Sequence, residues 1–331
     1  MKSTYLSKPN RISFRQVDPV PLEKKEVRVA VKQVGICGSD VHLFLGHRPM
    51  PDFTALGHEA IGIITEVGLD VPKERKGERV VIEPNISCGD CRFCQEGRSN
   101  ICINKKVLGL NRAGCFADSV TLPSDFAHTL PPAISDADGV VIEPLAVAYH
   151  AFHTLENLKG HRIAILGLGA VGLLLVHLAT NMGVQVLASD LNQNKCKLAQ
   201  KFGAQIVAVE DIATQWKNEE VRAVFECAGA KTTAGTAISS APHGATVVLL
   251  GLSDANAEFQ PLKMVRSGIT ILPSIVYNHP QDFQQVIRLI ENKGVQPGKI
   301  ISLYKNFEEL QEAFELAVTG EYPKIIVNIN S

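Results

Sequence analysis

The chain has 331 residues, 45% of them hydrophobic, which is more than a comfortable single domain, so the sequence predicts two domains. Its 33 Lys and Arg residues nearly balance its 34 Asp and Glu residues, for a formal net charge of -1. Such a balance lacks the excess of basic residues that would attract nucleic acid or an anionic membrane surface. We therefore expect a small-molecule partner, with no nucleic acid and no membrane.

The N-terminal segment MKSTYLSKPNRISFRQ has no apolar stretch followed by a small-residue cleavage site, so we expect a cytoplasmic protein. In a reducing compartment, clustered cysteines more often bind metal or catalyse reactions than form disulfides. Residues 163–189 contain no charged residue and are long enough for a bilayer span. Their glycines and polar residues instead favour a strand, a tight turn, a buried helix and a second strand.

The pattern of strand-like and helical segments changes twice along the chain. Up to about residue 147, short β-rich segments are separated by Pro, Gly and Asp, which predicts a compact β-barrel-like domain. From residue 148 to 275, strand-like runs alternate with helical ones, which predicts a doubly wound parallel sheet. The last part, 276–331, has two helical stretches and a final strand, PKIIVNI, that is expected to return to the first domain. The predicted fold is therefore α/β, with domains at 1–147 plus 276–331 and at 148–275.

A polar loop at residues 87–102 holds four of the eight cysteines, with the spacing C-x2-C-x2-C-x7-C. Four thiolates on so short a loop can close a tetrahedral zinc shell and leave no position for substrate. An iron-sulfur loop is a rival, but its last cysteine is usually nearer and followed by Pro, and Ile103 follows here. A disulfide pair is disfavoured in the cytosol. The loop is predicted to bind a structural zinc ion through Cys88, Cys91, Cys94 and Cys102.

A glycine motif, G-x-G-x-x-G, lies between a predicted strand and a predicted helix at Gly167, Gly169 and Gly172. There the turn must be tight and the backbone must approach a pyrophosphate that faces the helix N-terminus. The next strand ends in Asp190, where a carboxylate would accept hydrogen bonds from the adenosine ribose and disfavour a 2'-phosphate. The motif thus predicts a dinucleotide site that prefers NAD to NADP.

Four residues outside the cysteine loop are candidates for a catalytic zinc. Such an ion needs about three protein ligands and an open position. Cys37 and His58, with either Glu59 or Glu143, would meet that need. Each residue alone has a plainer explanation as a buried filler or a surface charge. Their occurrence beside a dinucleotide-binding pattern favours the metal, and Asp40 is predicted to orient a ligating histidine.

Residues 57–71, GHEAIGIITEVGLDV, resemble the signature of zinc-containing medium-chain alcohol dehydrogenases, and the resemblance extends to the final strand. GSDVH after Cys37, and EPLAV around Glu143, are most similar to the sorbitol, polyol and threonine dehydrogenase branch. The resemblance implies a GroES-like catalytic domain, a Rossmann NAD-binding domain and two zinc ions per subunit. It also implies a homo-oligomer, either a dimer or a tetramer.

The same resemblance assigns individual roles. Cys37, His58 and Glu59 or its water would hold the catalytic zinc, with Glu143 as a further, exchangeable ligand. Ser39 would take the proton of a zinc-bound secondary alcohol, and His42 would relay it to solvent while hydride passes to NAD. Lys324 would reach the cofactor pyrophosphate.

The substrate stays open at this level. Sorbitol dehydrogenases typically place an Arg before an aromatic residue after the last sheet strand, where this chain has Val276 before Tyr277. GLNRAGCFAD at 109–118 is similar to L-threonine 3-dehydrogenases, and SIVYNHPQDFQQVIRLI is similar to butanediol-type enzymes. Polyols, sugar alcohols, sugar acids, vicinal diols and 3-hydroxy amino acids are the candidates. A non-catalytic NAD(H)-binding redox sensor is the alternative of another class, although a sensor needs no Lewis acid.

Overall fold

A computed structural model describes residues 1–48 and 55–330 of the chain. The chain divides into two compact units, the first formed by Met1–Glu143 with Asn278–Ser331, the second by Pro144–Tyr277. The sequence prediction placed the divisions after residues 147 and 275. The first division of the structure falls within a helix, where the sequence pattern shows no break.

The N-terminal part of the first unit consists mostly of short strands. Short helices interrupt them, among them α1 (Gly38–Phe44), α2 (Arg92–Gln95) and α3 (Asp136–Gly139). The strands are β1 (Lys2–Lys8), β2 (Arg11–Gln16), β3 (Glu26–Gly35), β4 (Glu59–Val67), β5 (Arg79–Ile82), β6 (Asn85–Ile86), β7 (Lys106–Val107), β8 (Ser119–Pro123) and β9 (Ala127–Thr129).

Helix α4 (Ile142–His153) leads into the second unit, whose strands and helices alternate. The strands are β10 (Arg162–Leu166), β11 (Gln185–Ser189), β12 (Gln205–Ile206), β13 (Ala223–Glu226), β14 (Thr246–Leu249) and β15 (Thr270–Pro273). The helices are α5 (Ala170–Asn181), α6 (Gln193–Lys201), α7 (Ile212–Asn218), α8 (Thr233–Ser240) and α9 (Pro261–Ser267).

The sheet of the second unit is parallel throughout, in the order β12-β11-β10-β13-β14-β15. The order reverses direction between β10 and β13, and ligands of such sheets bind at the carboxyl ends of the strands beside that reversal. Ile163, Ala164 and Ile165 of β10 are all fully buried, as expected of a strand covered on both faces. The predicted doubly wound fold is confirmed.

The uncharged run at 163–189 forms β10, α5 and β11. Within the part of the chain that the structure describes, none of the helices combines the length and the apolar character that a membrane crossing requires.

The chain then re-enters the first unit through α10 (Gln281–Glu291), β16 (Leu303–Asn306), α11 (Leu310–Val318) and β17 (Ile325–Asn328). The main sheet there runs β16-β17-β3-β4-β5-β9, with β8 also paired to β3. Strand β17 pairs antiparallel with β3, so the predicted return of the final strand is confirmed. Alternate residues Val27, Val29 and Val31 of β3 are fully buried, because a period of two turns one face of the strand to the core.

Candidate active site and metal centres

The four cysteines of the predicted structural zinc site surround α2 in the first unit. Their sulfur atoms lie within 4.8 Å of one another, and none of the four forms a disulfide. The sulfurs of Cys91 and Cys94 are 3.6 Å apart, and those of Cys88 and Cys102 are 3.4 Å apart. The geometry therefore offers zinc four sulfur ligands and no open position.

The thiols of this cluster differ in pKa. The backbone N–H of Cys94 lowers the pKa of Cys91 to about 6. Desolvation raises the pKa of Cys94 to about 12. Cys91 thus loses its proton more readily than Cys94 and offers an incoming cation a thiolate, the form of cysteine that binds metal.

We expect Cys91→Ser to release one zinc ion per chain and to lower the free energy of unfolding by about 4 kcal/mol or more, because loss of a metal is among the few single changes with so large an effect. Turnover per folded molecule at low temperature should persist. Zinc analysis and urea denaturation measure both, with Cys196→Ser on α6 as the matched control. Abolished chemistry in a well-folded Cys91→Ser protein would contradict a purely structural role.

The predicted dinucleotide loop connects β10 to α5 in the second unit. Gly167 has φ +96°, and a Cβ there would lie 2.6 Å from the Ala228 nitrogen. A Cβ on Gly172 would lie 2.0 Å from the Gly167 carbonyl oxygen, so the helix can approach the turn only at a glycine. A Cβ on Gly169, the N-cap of α5, would meet no atom within 4 Å. The open space at Gly169, before the N–H groups of a helix, fits a pyrophosphate.

Asp190 follows β11 at the same edge of the sheet and faces the glycine loop. One carboxylate oxygen accepts from the Leu168 N–H at 2.6 Å, and the other accepts from the Asn192 N–H at 2.7 Å. Each carboxylate oxygen can accept a second bond, so both contacts leave room for ribose hydroxyls. The hydrogen bond from the Leu168 N–H fixes the conformation of the glycine loop. The Asp190 carboxylate also places a negative charge next to the loop.

Because that charge repels a 2'-phosphate, we expect Asp190→Asn to reduce the preference for NAD over NADP by about tenfold or more, the equivalent of one charged hydrogen bond. The single asparagine oxygen can still accept from the Leu168 N–H of the loop, at the expense of the contact with the Asn192 N–H. Initial rates with each cofactor measure the ratio, and Asp254→Asn, at an exposed position of the same unit, is the control. An unchanged ratio would remove Asp190 from cofactor selection.

Three of the four predicted ligands of a catalytic zinc converge in the first unit. Cys37 precedes α1, His58 precedes β4, and Glu59 is the first residue of β4. The cysteine sulfur, a histidine ring nitrogen and a carboxylate oxygen lie within 4.8 Å of one another. Thiolate, imidazole and carboxylate are all ligands that zinc accepts. The donor set therefore fits the ion that the resemblance implies.

The surroundings of His58 favour positive charge. Burial disfavours the charged imidazole, but the charges of Asp40 and Cys37 outweigh it and hold the pKa of His58 well above its ordinary value. The same negative charges would stabilise a zinc ion bound to His58 in place of that proton.

Asp40 joins the two loops that carry Cys37 and His58. Its fully buried carboxylate accepts from the Cys37 N–H at 3.1 Å and from the Gly57 N–H at 3.1 Å. One oxygen also lies 3.3 Å from His58 Nδ1, a close ionic contact whose alignment falls short of a hydrogen bond. Gly57 has φ +91°, which permits the turn into His58. Asp40 thus lies where a residue that orients His58 should be.

Lys324 lies beside this group. Its buried ammonium is 2.8 and 2.6 Å from the two Glu59 carboxylate oxygens and 3.1 Å from the Ile36 carbonyl oxygen. Gly35 pairs with Glu59 across β3 and β4, and a Cβ there would lie 2.3 Å from a Glu59 oxygen. The structure therefore gives Lys324 an ionic partner that the sequence analysis did not name, and its contact with pyrophosphate stays a prediction.

The remaining predicted residues of the site are Glu143, Ser39 and His42. Glu143 is buried in the first turn of α4 and is not one of the donors that lie mutually within 4.8 Å. Its charge is nevertheless near enough to help raise the pKa of Lys324. Ser39 Oγ is 3.4 Å from His58 Nε2, and the exposed His42 places its Nδ1 3.2 Å from His47 Nδ1. Which glutamate binds zinc stays open.

Sequence reasoning missed one donor cluster altogether. Glu83, His128 and His279 also bring three ligand atoms within 4.8 Å of one another in the first unit. Glu83 lies 45 residues from His128 and 196 from His279, so no short spacing marks them. The one local signal was an acidic residue at the end of the strand-like run RVVI.

The two units of this chain match the two domains of a zinc-binding dehydrogenase. The family model for the alcohol dehydrogenase GroES-like domain matches residues 23–132, and the model for the zinc-binding dehydrogenase domain matches residues 170–292. The chain belongs to the zinc-type medium-chain alcohol dehydrogenase family. This confirms the resemblance and the two-part fold that it implied.

Individual relatives match along almost the whole chain. An uncharacterized zinc-type alcohol dehydrogenase-like protein, YdjJ of Escherichia coli K12, is 30% identical over 92% of this chain and 90% of its own. Sorbitol dehydrogenase of Halalkalibacterium halodurans is 29% identical over 94% of this chain and 93% of its own. The crystal structure of RspB from E. coli CFT073, complexed with NADH, has a TM-score of 0.93 at 28% identity and covers 99% of both chains.

Proposed function

We propose that this chain is a zinc-dependent, NAD-linked dehydrogenase that oxidises a secondary alcohol of the polyol, sugar alcohol or sugar acid class. The observation that carries the proposal is the convergence of Cys37, His58 and Glu59 with the Ser39 hydroxyl beside them. The glycine loop and Asp190 of the second unit support NAD as the hydride acceptor. The proposal places the protein in the cytoplasm, where cysteines stay reduced and can bind metal.

A zinc ion held by Cys37, His58 and a glutamate would supply a Lewis acid that lowers the pKa of an alcohol hydroxyl. Around it, this chain's own residues bind, orient and move the proton. Ser39, 3.4 Å from His58 Nε2, accepts the hydroxyl proton and passes it on. His42, three residues further on α1, shares that face of the helix, and its contact with His47 lets the proton spread over two imidazoles.

Glu59 and Lys324 set the charge beside the reacting group. A carboxylate paired with an ammonium adds little net negative charge, so the pair keeps the site attractive to an alkoxide-forming substrate. Cys37 and His58 would hold the ion together with either Glu59 or Glu143, and only the first of these carboxylates lies within 4.8 Å of both among the described residues.

A substrate screen tests the proposal. NADH absorbance is followed after zinc content is confirmed, with polyols, aldonates, threonine and butanediol as substrates and NAD or NADP as acceptor. We expect turnover of at least one polyol or sugar acid with NAD, and none by the Ser39→Ala protein above a small fraction of that rate. Full zinc occupancy with no NAD reduction on any alcohol would favour the redox sensor.

L-threonine 3-dehydrogenase or butanediol dehydrogenase activity is the second candidate. The similarity of residues 109–118 to threonine dehydrogenases favours it, as does the absence of an Arg before Tyr277. Threonine or butanediol turnover well above that of every polyol would replace the polyol assignment while leaving the reaction class unchanged.

A further inference from the structure

The cluster of Glu83, His128 and His279 lies within the first unit, and none of its members belongs to the two centres described above. Glu83 follows β5 and is fully buried. One of its carboxylate oxygens, Oε2, is 2.6 Å from His128 Nε2 and 2.7 Å from His279 Nδ1. Its other oxygen, Oε1, is buried and has no hydrogen-bond partner. A buried carboxylate with one oxygen unpaired is costly and needs a physical reason.

Each ligand is held in place by its own neighbours. His128 lies on β9, opposite Val81 of β5, and its ring stacks on Phe283 at 5.1 Å between centroids. The His279 ring stacks on Phe126 at 4.0 Å with an interplanar angle of 12°, and its backbone N–H donates to the Ser99 hydroxyl at 2.7 Å. The Glu83 N–H donates to the Phe126 carbonyl oxygen at 2.8 Å. Such fixed orientations are typical of residues that must meet at one point.

We propose that these three residues form a further binding site for a divalent transition-metal ion of the zinc and cobalt type. Two imidazoles and one carboxylate are a donor set that such ions accept while keeping positions for water. His279 retains 19% side-chain exposure, against 9% for His128 and none for Glu83, so water and the ion would enter on the His279 side. The ion would neutralise the buried carboxylate and engage the oxygen that now lacks a partner.

Uptake of the ion requires a local exchange. The present N···O separations are those of hydrogen bonds, whereas ligands about 2.0–2.1 Å from a tetrahedral zinc lie about 3.3 Å apart. Each imidazole must therefore present a lone pair to the ion in place of its N–H, by tautomer exchange or by loss of a proton. Each of the two nitrogens must also move about half an ångström away from Glu83 Oε2. His279, with 19% of its side chain exposed, is the member least confined by its neighbours.

Equilibrium dialysis of the chelator-treated protein against micromolar Co2+ tests the proposal. Cobalt bound by thiolate gives a sulfur-to-metal charge-transfer band, whereas cobalt bound by two imidazoles and a carboxylate does not. We expect the wild-type chain to bind one more cobalt ion than the thiolate bands account for. His279→Asn and His128→Gln should each bind one ion fewer, with unchanged charge-transfer intensity.

These variants are chosen because an asparagine amide can replace the Nδ1–H of His279, and a glutamine amide the Nε2–H of His128. Both preserve donation to Glu83, so the fold should survive, while an amide is a poor ligand for these ions. The exposed His243→Asn is the matched control and should bind as much cobalt as the wild type. If either variant misfolds, the other variant and the wild-type ion count still decide the question.

Equal cobalt binding by the wild type and both variants would overturn the proposal and leave the cluster as a hydrogen-bonded contact only. That result would say nothing against alcohol oxidation, which the substrate screen measures separately. Conversely, an inactive protein that still binds the additional cobalt ion would retain this site and lose the proposed function.

Discussion

The Cys37→Ser protein is expected to lose NAD-dependent alcohol oxidation by about a thousandfold or more, because a Lewis acid supplies several kcal/mol of transition-state stabilisation and each 1.36 kcal/mol is about tenfold in rate. Serine is a poor zinc ligand but a good helix N-cap, so α1 and the backbone contact of residue 37 with Asp40 should persist. Steady-state kinetics with zinc analysis measure the effect.

The stability of the same protein provides the control. We expect the unfolding midpoint of Cys37→Ser to lie close to that of the wild type, the reverse of the pattern expected for Cys91→Ser. Activity at the wild-type level would exclude Cys37 from the reaction. A large loss of both activity and stability would mean that the two metal centres do not divide catalysis and structure between them.

Replacing Lys324 by methionine should lower the free energy of unfolding by about 3–5 kcal/mol, since it leaves the buried Glu59 carboxylate without its cation. The side chains of Lys324 and Glu59 are 1% and 0% exposed, and their closest N···O distance is 2.6 Å. Burial opposes the charged ammonium, but the charges of Glu59 and Cys37 outweigh it and raise the pKa of Lys324. The ammonium is therefore charged at neutral pH, and on the alkaline side the contribution of the ion pair is lost as pH rises through that raised pKa.

A double-mutant cycle isolates this interaction. Glu59→Gln combined with Lys324→Met should recover most of the stability lost by Lys324→Met, because no unpaired charge remains. Lys32→Met removes a cation from an ion pair with Asp136 whose two side chains are 47% and 27% exposed, and it should cost less than about 1 kcal/mol. Additive losses in the double variant would show that Lys324 acts through packing rather than through Glu59.

The cycle also tests the predicted contact of Lys324 with the cofactor. If Lys324 binds the pyrophosphate, KM for NAD rises in Lys324→Met and stays high in the double variant. If Lys324 acts on Glu59 alone, the double variant brings KM back toward that of Glu59→Gln.

The sequence predicted the groups of functional residues that lie close to one another along the chain. The four cysteines of residues 88–102 come together because a loop of that length cannot separate them far, and Gly167, Gly169 and Gly172 meet in one turn for the same reason. His58 and Glu59 are adjacent, so a strand beginning there carries both to one place. The alternation of strands and helices from 148 onward predicted the parallel sheet. Hydrophobic residues recur at a different spacing in a strand and in a helix, so each element can be recognised from a short stretch of sequence.

Only the tertiary structure decided which distant residues meet. Lys324 and Glu59 are 265 residues apart and come together because β17 pairs with β3, and β3 with β4, in one particular register. The same holds for Glu83, His128 and His279, which β5, β9 and the segment before α10 bring to one carboxylate oxygen. A pattern in the sequence reports what lies within a few residues, whereas strand pairing and burial are set by the free energy of the whole packed chain.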